Sequence, residues 1–548
     1  MNSLTSLYQA FEYYLKNQYA LDEQTLAVAQ FSLNVDTAKQ QFGDLNSSAP
    51  MVIAKKVGKN PRLIAQEIIN GFSHEALKEI QIAGPGFLNA SFTEKALQDI
   101  AHDALVNKEF FFKPEMPTRP SVNIEFVSAN PTGPLHLGHG RGGIIGDVLG
   151  NVMRFCGLHV AKEFYINDAG NQIARLGESF KIRCQQIAGL SVSVPEDGYR
   201  GDYLIDLAKQ CFAEYGMSVL EKPDQFFADY AKQHLLEQQK ETLAQYGIIF
   251  DVWFSEKQLH DSGAVAQAIA YLQERGFIYE AEGALWFAST RFGDDKDRVV
   301  RKTTGEWTYV AADIAYLRNK IDRGFTKLVM ILGHDHHSYV VRLQGILKAL
   351  GYTDVTLDVI LYQLVTMKAS GQLVQMSKRA GTMVTLHDVI DTVGTDVARF
   401  FYLNRKADAQ LEFDLDLALK KTEENPVYYL QYAYVRTNSL LAKAKQEGFN
   451  TISAEDVKGL GADEALLIKK MASLKQVLAN ITTHYQTHTL TYYLLELADI
   501  FHRYYAHHRI IGADNEKQTR ARLALVMMVN QCFGTVLELL EISRPEKM

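Results

Sequence analysis

The stretch Ser121-Val-Asn-Ile-Glu-Phe-Val-Ser-Ala-Asn-Pro-Thr-Gly-Pro-Leu-His-Leu-Gly-His139 decides how the rest of the chain is read. Ser121 to Val127 runs as an apolar strand, and a Pro- and Gly-rich turn follows it. Ile144, Ile145, Val148, Leu149, Val152 and Met153 then share one helical stripe, which Gly157 closes. His159 to Asn167 reads as a second strand and Asn171 to Ile187 as a second helix, so the segment is a βαβ unit with a right-handed crossover. Lys327 to Leu332, Tyr339 to Leu350 and Leu357 to Val365 repeat the strand–helix–strand order. Two such halves predict a Rossmann-type parallel sheet. Ligands of open sheets bind outside the carboxyl ends of the strands, which is where the turn before His136 lies.

A turn that leads from a strand into a helix presents peptide N–H groups and the positive end of the helix dipole, a setting that favours phosphate. His136 and His139, three residues apart, face one side of the opening turn. They can donate to phosphate oxygens as charge develops there, without acting as covalent nucleophiles. Gly138 between them lets a nucleotide approach the backbone. The competing reading is a capped helix start with surface histidines, and the position at the end of the first strand argues against it.

Outward from this centre, the chain of 548 residues exceeds what one hydrophobic core serves. Residues 1–110 read as an α+β domain whose last feature, Gly84-Pro-Gly86, is a turn between two short strands. Phe110 to Pro120 reads as a linker. Residues 118–388 form the sheet domain, within which about 190–300 is polar, helix-rich and reads as a helical insertion. Beyond Thr385 the strand signals fade, and residues 389–548 read as an all-α bundle. Asn425 caps one of its helices and Pro426 opens it. The expected fold is therefore α/β multidomain, without repeats or low-complexity tracts.

Composition narrows the class. Hydrophobic residues at 47% and charged residues at 22% suit a folded globular protein. The run Leu523 to Val529 stops at Asn530 and Gln531, short of a membrane span, and the N-terminus lacks a basic start and an apolar core, so a cytoplasmic location without a membrane partner is expected. Cys156, Cys184, Cys211 and Cys532 form no CxxC pair and read as buried thiols rather than disulfides or a zinc knuckle. A net charge of -7 disfavours nucleic acid over the whole surface but permits a local basic patch.

A second motif follows a hairpin-like segment at Gln372-Leu-Val-Gln-Met-Ser-Lys-Arg-Ala-Gly381. Gly371 and Gly381 read as hinges of a mobile loop, and Lys378 would neutralise phosphates in a transition state. His136-Leu-Gly-His139 and Met376-Ser-Lys378 together resemble the two signature motifs of class I aminoacyl-tRNA synthetases. The chain resembles the arginyl-tRNA synthetase family in particular at Ile124 to Arg141, Phe164-Tyr-Ile-Asn-Asp-Ala-Gly-Asn-Gln-Ile173, Gly333-His-Asp-His-His337, Arg544-Pro-Glu-Lys-Met548 and Gly84-Pro-Gly-Phe-Leu-Asn89. One departure is Gln375 where that family often has lysine, so that one phosphate contact is either missing or supplied by Lys368 or Arg379, with Lys378 as principal cation.

The resemblance implies an ATP site of His136, Gly138, His139, Asp335, Met376, Ser377 and Lys378. ATP is a substrate accompanied by Mg²⁺, and the protein itself contributes no metal ligands. It implies that arginine is held by Glu125 and Asp313, whose carboxylates suit a forked, always-charged guanidinium, with Tyr309 on the same helix face as Asp313. Ser128 and Asn130 would hold the ammonium or carboxylate, although both could be plain turn formers. Gly333 to His337 could be mistaken for a metal site, but it lacks a distant ligand partner.

The C-terminal bundle is rich in tyrosine. Tyr428 and Tyr434 read as core, while the resemblance implies that Tyr429, Tyr432 and Met548 lie near the anticodon loop. By the same resemblance Phe87 and Asn89 lie near the D-loop, with His508 as a further candidate. The implied partners are L-arginine, ATP and arginine-specific tRNA, the tRNA being needed for activation, and the implied state is a monomer. A small-molecule nucleotidyltransferase could share the histidine turn but would not need the terminal domains. A silent tRNA-binding paralogue would be expected to lose His136, His139 or Lys378, and all three are present.

Overall fold

The computed structural model describes residues 2–373, 384–513 and 515–548. The N-terminal region sets helices against an antiparallel sheet of β1 (Ser32–Leu33), β2 (Leu45–Ser47), β3 (Leu77–Ala83) and β4 (Phe87–Phe92), ordered β1-β2-β4-β3. Gly84 and Gly86 at the β3–β4 turn have φ of +51° and +141°, and a Cβ on Gly86 would lie 2.9 Å from Pro61. The turn therefore needs glycine on both conformational and steric grounds.

The central sheet contains β5 (Ser121–Phe126), β6 (His159–Ile166) and β7 (Val252–Ser255). Three further strands, β8 (Ile278–Ala281), β9 (Ala284–Phe287) and β10 (Arg298–Arg301), make a separate antiparallel sheet, and β11 (Lys327–Gly333) and β12 (Thr356–Tyr362) then complete the central one. Its order is β12-β11-β5-β6-β7 and every pairing is parallel. The chain moves outward from β5 through β6 to β7 and returns on the other side at β11. The strand order thus reverses between β5 and β11, and the histidine turn leaves β5 at that switch point.

Three expectations need correction. The stretch about 190–300 is not wholly a helical insertion, because it supplies β7 to the edge of the parallel sheet and all of the small β8–β10 sheet. Its helices Tyr203–Tyr215 and Asp224–Gln245 do form a core of their own with helix Asn171–Ile187, built on Leu176, Phe180, Leu204 and Phe227. The region after residue 389 is likewise not all helix. β13 (Val365–Ala369) pairs antiparallel with β14 (Gln372–Leu373) and parallel with β15 (Leu411–Asp414), whose Leu411 and Phe413 are buried while Glu412 is exposed. The linker also starts later than expected, since Phe111 and Phe112 are buried.

The remaining C-terminal helices form the expected bundle: Pro426–Gln446, Ala465–Ala472, Leu474–His484, Thr489–His507 and Glu516–Leu539. Asn425 caps the first, accepting a bond from Val427 N at 3.0 Å. Glu516–Leu539 is long and apolar enough to cross a membrane by length and composition, yet its apolar residues are packed inside the bundle. All four cysteines are buried free thiols.

Candidate active site

The sharp exit from β5 is made by two non-glycine residues in the left-handed region, Val127 (φ +67°) and Ser128 (φ +42°). Backbone of this kind is strained and persists only where its surroundings hold it. Here Ser128 Oγ donates to Glu125 Oε1 at 3.1 Å and accepts from Tyr165 N at 3.1 Å, which fastens the turn to β5 and β6. Asn130 donates through Nδ2 to Gln172 Oε1 at 2.8 Å, and Gln239 Nε2 donates to the carbonyls of Asn130 and Gly133 at 3.0 and 2.8 Å.

Helix Leu137–Phe155 then opens with a capping box made of imidazoles. His136 Nδ1 accepts from Gly138 N and His139 Nδ1 accepts from His136 N, both at 3.1 Å, and the rings stack at 3.7 Å. A Cβ on Gly138 would lie 3.0 Å from His136 Cε1, so the missing side chain makes room for the His136 ring. Capping through Nδ1 fixes both rings at the helix start.

The chain around the second motif is brought to the same turn. Leu137 N donates to Val384 O at 3.2 Å, Leu386 N donates to Leu135 O at 2.8 Å, and His136 and Thr385 form an antiparallel bridge. Gln375, Met376, Ser377, Lys378 and Arg379 lie outside the described residues. Lys368, one proposed stand-in for the missing lysine, is 3.5 Å from Glu412 and 3.8 Å from Asp414, so its charge is already shared.

Beneath the turn lies a group of buried acids. Glu125 receives Lys320 Nζ on Oε2 at 2.6 Å in addition to the Ser128 bond on Oε1. Asp313, on helix Tyr309–Asp322, takes a hydrogen bond from the Tyr339 hydroxyl on Oδ1, while its Oδ2 is buried without a partner. Glu256, at the first residue of helix Glu256–Asp261, is buried at the end of β7, and its Oε2 also has no partner. Burial pushes the Asp313 carboxyl up to about 7, with Glu256 and Glu125 adding to the rise against the opposing pull of Tyr339 and Arg342. Burial also raises Glu256, against the opposing pull of Tyr165 and His260.

Buried carboxylate oxygens without donors are costly, and a forked cation supplies two donors and a charge at once. Glu256 is not among the residues expected from the sequence; its signal there is Val252-Trp-Phe-Ser255, a short largely apolar run followed directly by this acid. Glu125 is less available than expected, since both of its oxygens are engaged within the protein.

The other expected residues are distributed as follows. Tyr309 begins the helix one turn before Asp313 and is 61% exposed. Asp335 is exposed beyond the end of β11, 3.9 Å from His336 Nε2. Phe87 starts β4 at 40% exposure, and Asn89 is half-buried further along the same strand. Tyr432 stacks on His502 at 5.9 Å and accepts from Arg436 Nη2 at 2.7 Å, and the Arg436 guanidinium also lies 4.8 Å from the Tyr505 ring. Tyr429 lies 4.8 Å from His502, and Met548 is 49% exposed. His508 is held by the fold itself, stacked on Tyr504 at 4.3 Å and 3.6 Å from Asp463. Tyr428 and Tyr434, expected in the core, are only half-buried.

Comparison with known proteins bears on all three regions. Family models match in order along the chain: the arginyl tRNA synthetase N-terminal domain over residues 7–92, the class I (R) tRNA synthetase catalytic domain over 101–408 and the DALR anticodon binding domain over 430–548. The arginine–tRNA ligase of Desulfosudis oleivorans is 43% identical over 93% of this chain and 93% of its own. That of Bacillus subtilis is 39% identical over 94% of each. The Thermus thermophilus arginyl-tRNA synthetase structure shares the fold with a TM-score of 0.77 at 21% identity, covering 99% of this chain and 100% of that one. A Rossmann-type sheet with a histidine turn at its switch point, flanked by terminal domains that each match in sequence, leaves one assignment: the chain belongs to the arginyl-tRNA synthetase family.

Proposed function

We propose that the site joins arginine to ATP and then to tRNA, as an arginine–tRNA ligase, with the guanidinium held between Asp313 and Glu256. The observation that carries this reading is the pair of buried carboxylate oxygens, Asp313 Oδ2 and Glu256 Oε2, that no donor among the described residues meets. An arginine seated there has its carboxylate toward the turn where Ser128 and Asn130 are pinned, and Tyr309 stands beside the guanidinium. A carboxylate oxygen attacks the α-phosphorus of ATP, the bond to the β-phosphate breaks and pyrophosphate leaves. A ribose hydroxyl of the tRNA terminus then attacks the carbonyl carbon of the adenylate, and AMP leaves with the bonding electrons.

Neither step requires a protein nucleophile. His136 and His139 supply donors at the phosphates, Lys378 supplies a cation from the second motif, and Asp335 borders the nucleotide. Positioning and charge stabilisation do the rest. Among the described residues no group of three His, Cys, Asp or Glu side chains is placed to hold a metal ion. On this reading Mg²⁺ accompanies the phosphates of ATP, and no step is assigned to it.

The same reading divides the chain into a tRNA-contacting domain at 1–110, a catalytic domain at 118–388 and an anticodon-binding domain at 389–548. The tRNA is met by Phe87 and Asn89 at one end and by Tyr429, Tyr432 and Met548 at the other, with His508 in a structural role. It also has the protein acting as a cytoplasmic monomer. The test is pyrophosphate exchange with ATP and tRNA, each amino acid supplied in turn. Exchange should appear with arginine alone, and exchange with lysine in its place would overturn the pocket assignment.

A further inference from the structure

The acids of the pocket are not alone: one internal partner, Lys320, is as buried as they are, and another, Arg323, reaches in from the surface. Glu163 is fully buried on β6. It accepts from Asn123 Nδ2 at 3.0 Å and from Arg323 Nη1 and Nη2 at 2.6 and 2.9 Å, and it is also bonded by the Tyr316 hydroxyl. Burial alone would raise it, but Lys320, Arg323 and Tyr316 together hold it below the usual carboxylate range. Lys320 is 0% exposed, lies 4.3 Å from the Tyr316 ring and donates to Glu125 at 2.6 Å. Of the four carboxylates Glu125, Glu163, Glu256 and Asp313, Glu125 is thus paired directly with Lys320 and Glu163 with Arg323, while Arg342 acts on Asp313 only through its field.

We propose that Lys320 is a positioning residue that sets the charge of the arginine pocket: it neutralises and fixes Glu125 so that only Asp313 and Glu256 remain for a ligand cation. This rests on the reading that those two acids hold the guanidinium. Lys320 itself touches no substrate, because its ammonium is enclosed between Glu125, Tyr316 and the Glu163 side of the sheet. Without it, three uncompensated acids would crowd one site. Like charges this close cannot all ionise, so the pocket would take up a proton and release it again when arginine binds. The groups that face Glu125 and its neighbours are Ser128 from the turn, Glu163 and Tyr165 from β6, and Asp313, Tyr316 and Lys320 from helix 309–322. Tyr339 and Arg342 from helix 337–350 and Glu256 and His260 from helix 256–261 complete the set. None of these besides Lys320 is placed to replace its bond to Glu125 Oε2.

The test is calorimetric titration of the full chain with arginine in two buffers of different ionisation enthalpy, which counts the protons released. Lys320→Met should release up to about one more proton per arginine than the native protein near neutral pH, and its arginine affinity should become steeply pH-dependent. Lys320→Met combined with Glu125→Gln should return the count to the native value, because both charges of the pair are then gone. It also serves if the single variant does not fold, since replacing both partners of a buried pair is tolerated where removing one is not.

A native proton count in a folded Lys320→Met would overturn the proposal, as would a double variant that binds arginine no better than the single one. Asp313→Asn in the same titration separates the two levels of the argument. If it abolishes arginine binding while Lys320→Met changes nothing, the Lys320 role fails and the pocket stands. If Asp313→Asn binds arginine normally, the pocket assignment fails and the role of Lys320 falls with it.

Discussion

Replacing Asp313 by asparagine keeps the shape of the pocket and removes half of its proposed guanidinium clamp. Breaking a buried charge pair by deleting one partner costs about 3–5 kcal/mol, which at about 1.4 kcal/mol per tenfold corresponds to roughly 10² to 4 × 10³ in affinity. Two features of the site reduce this. Asp313 is pushed up to about 7 in the free protein, so at neutral pH about half of the carboxyls already carry a proton, and ionising the rest costs the native complex only about 0.4 kcal/mol. Asparagine also leaves one neutral acceptor for the guanidinium, worth about 1 kcal/mol.

The expected outcome of Asp313→Asn is a Michaelis constant for arginine raised about 100-fold in tRNA-supported pyrophosphate exchange. That for ATP should remain within about twofold, since the histidine turn keeps its bonds to Gly138 and Thr385. Folding should not suffer, because an uncompensated buried acid is removed while the Tyr339 hydroxyl keeps an oxygen to bond. An unchanged Michaelis constant for arginine, with a lowered melting temperature, would show that Asp313 serves the fold and would refute the clamp.

Arginine affinity should rise with pH through about 7 and then level off, since binding needs the ionised Asp313; a flat profile from pH 6 to 8 would contradict this. The stability contribution runs the other way. The raised carboxyl favours the free protein fully below the unfolded value of about 3.9, and this is lost as pH rises through about 7, so the melting temperature should respond to arginine more strongly at pH 8 than at pH 6. Tyr432→Ala should raise the Michaelis constant for tRNA by roughly 5- to 100-fold, matching one lost base stack of about 1–3 kcal/mol, while ATP binding measured directly is unchanged. Tyr432→Phe, which keeps the ring but loses the Arg436 bond, should retain most of the tRNA use, and equal losses in both would argue against stacking. Arg399→Met should destabilise the chain by about 3–5 kcal/mol in denaturant titration, because Arg399 joins Asp147 of the histidine helix to the carbonyls of Tyr246 and Leu540 at 2.6, 2.6 and 2.7 Å. A loss below about 1 kcal/mol would mean that this buried link between sheet and bundle is dispensable.

The parallel sheet was legible because its strands announce themselves twice, each followed by a helix with an unbroken apolar stripe, as in Ile144 to Met153. The strands that escaped notice share a different physics. β7 and β15 are four residues each, too short for a period of two to stand out, and each gains its stability from a neighbour distant in sequence rather than from its own pattern. The histidine turn was legible because its chemistry and its cap use the same residues, within one helical turn.

The acid pocket shows why local pattern stops short of a site. An aspartate on a helix is most often a solvated charge, and nothing between Tyr309 and Asp322 says otherwise; what decides the matter is that Tyr339, Glu256 and Glu125 enclose Asp313, and these come from three other elements. The compensation is more remote still, with 195 residues between Glu125 and Lys320 and 160 between Glu163 and Arg323. Charge balance in a buried site is a sum over everything within reach, and its sign can reverse with one unseen partner. The family resemblance made Glu125 a guanidinium ligand, yet its charge is spent on Lys320. Glu256 looked like filler and brings an unmet oxygen to the pocket. On the proposed reading the motifs point to the turn that meets ATP, whereas the selection of a cation depends on which acids the fold leaves uncompensated.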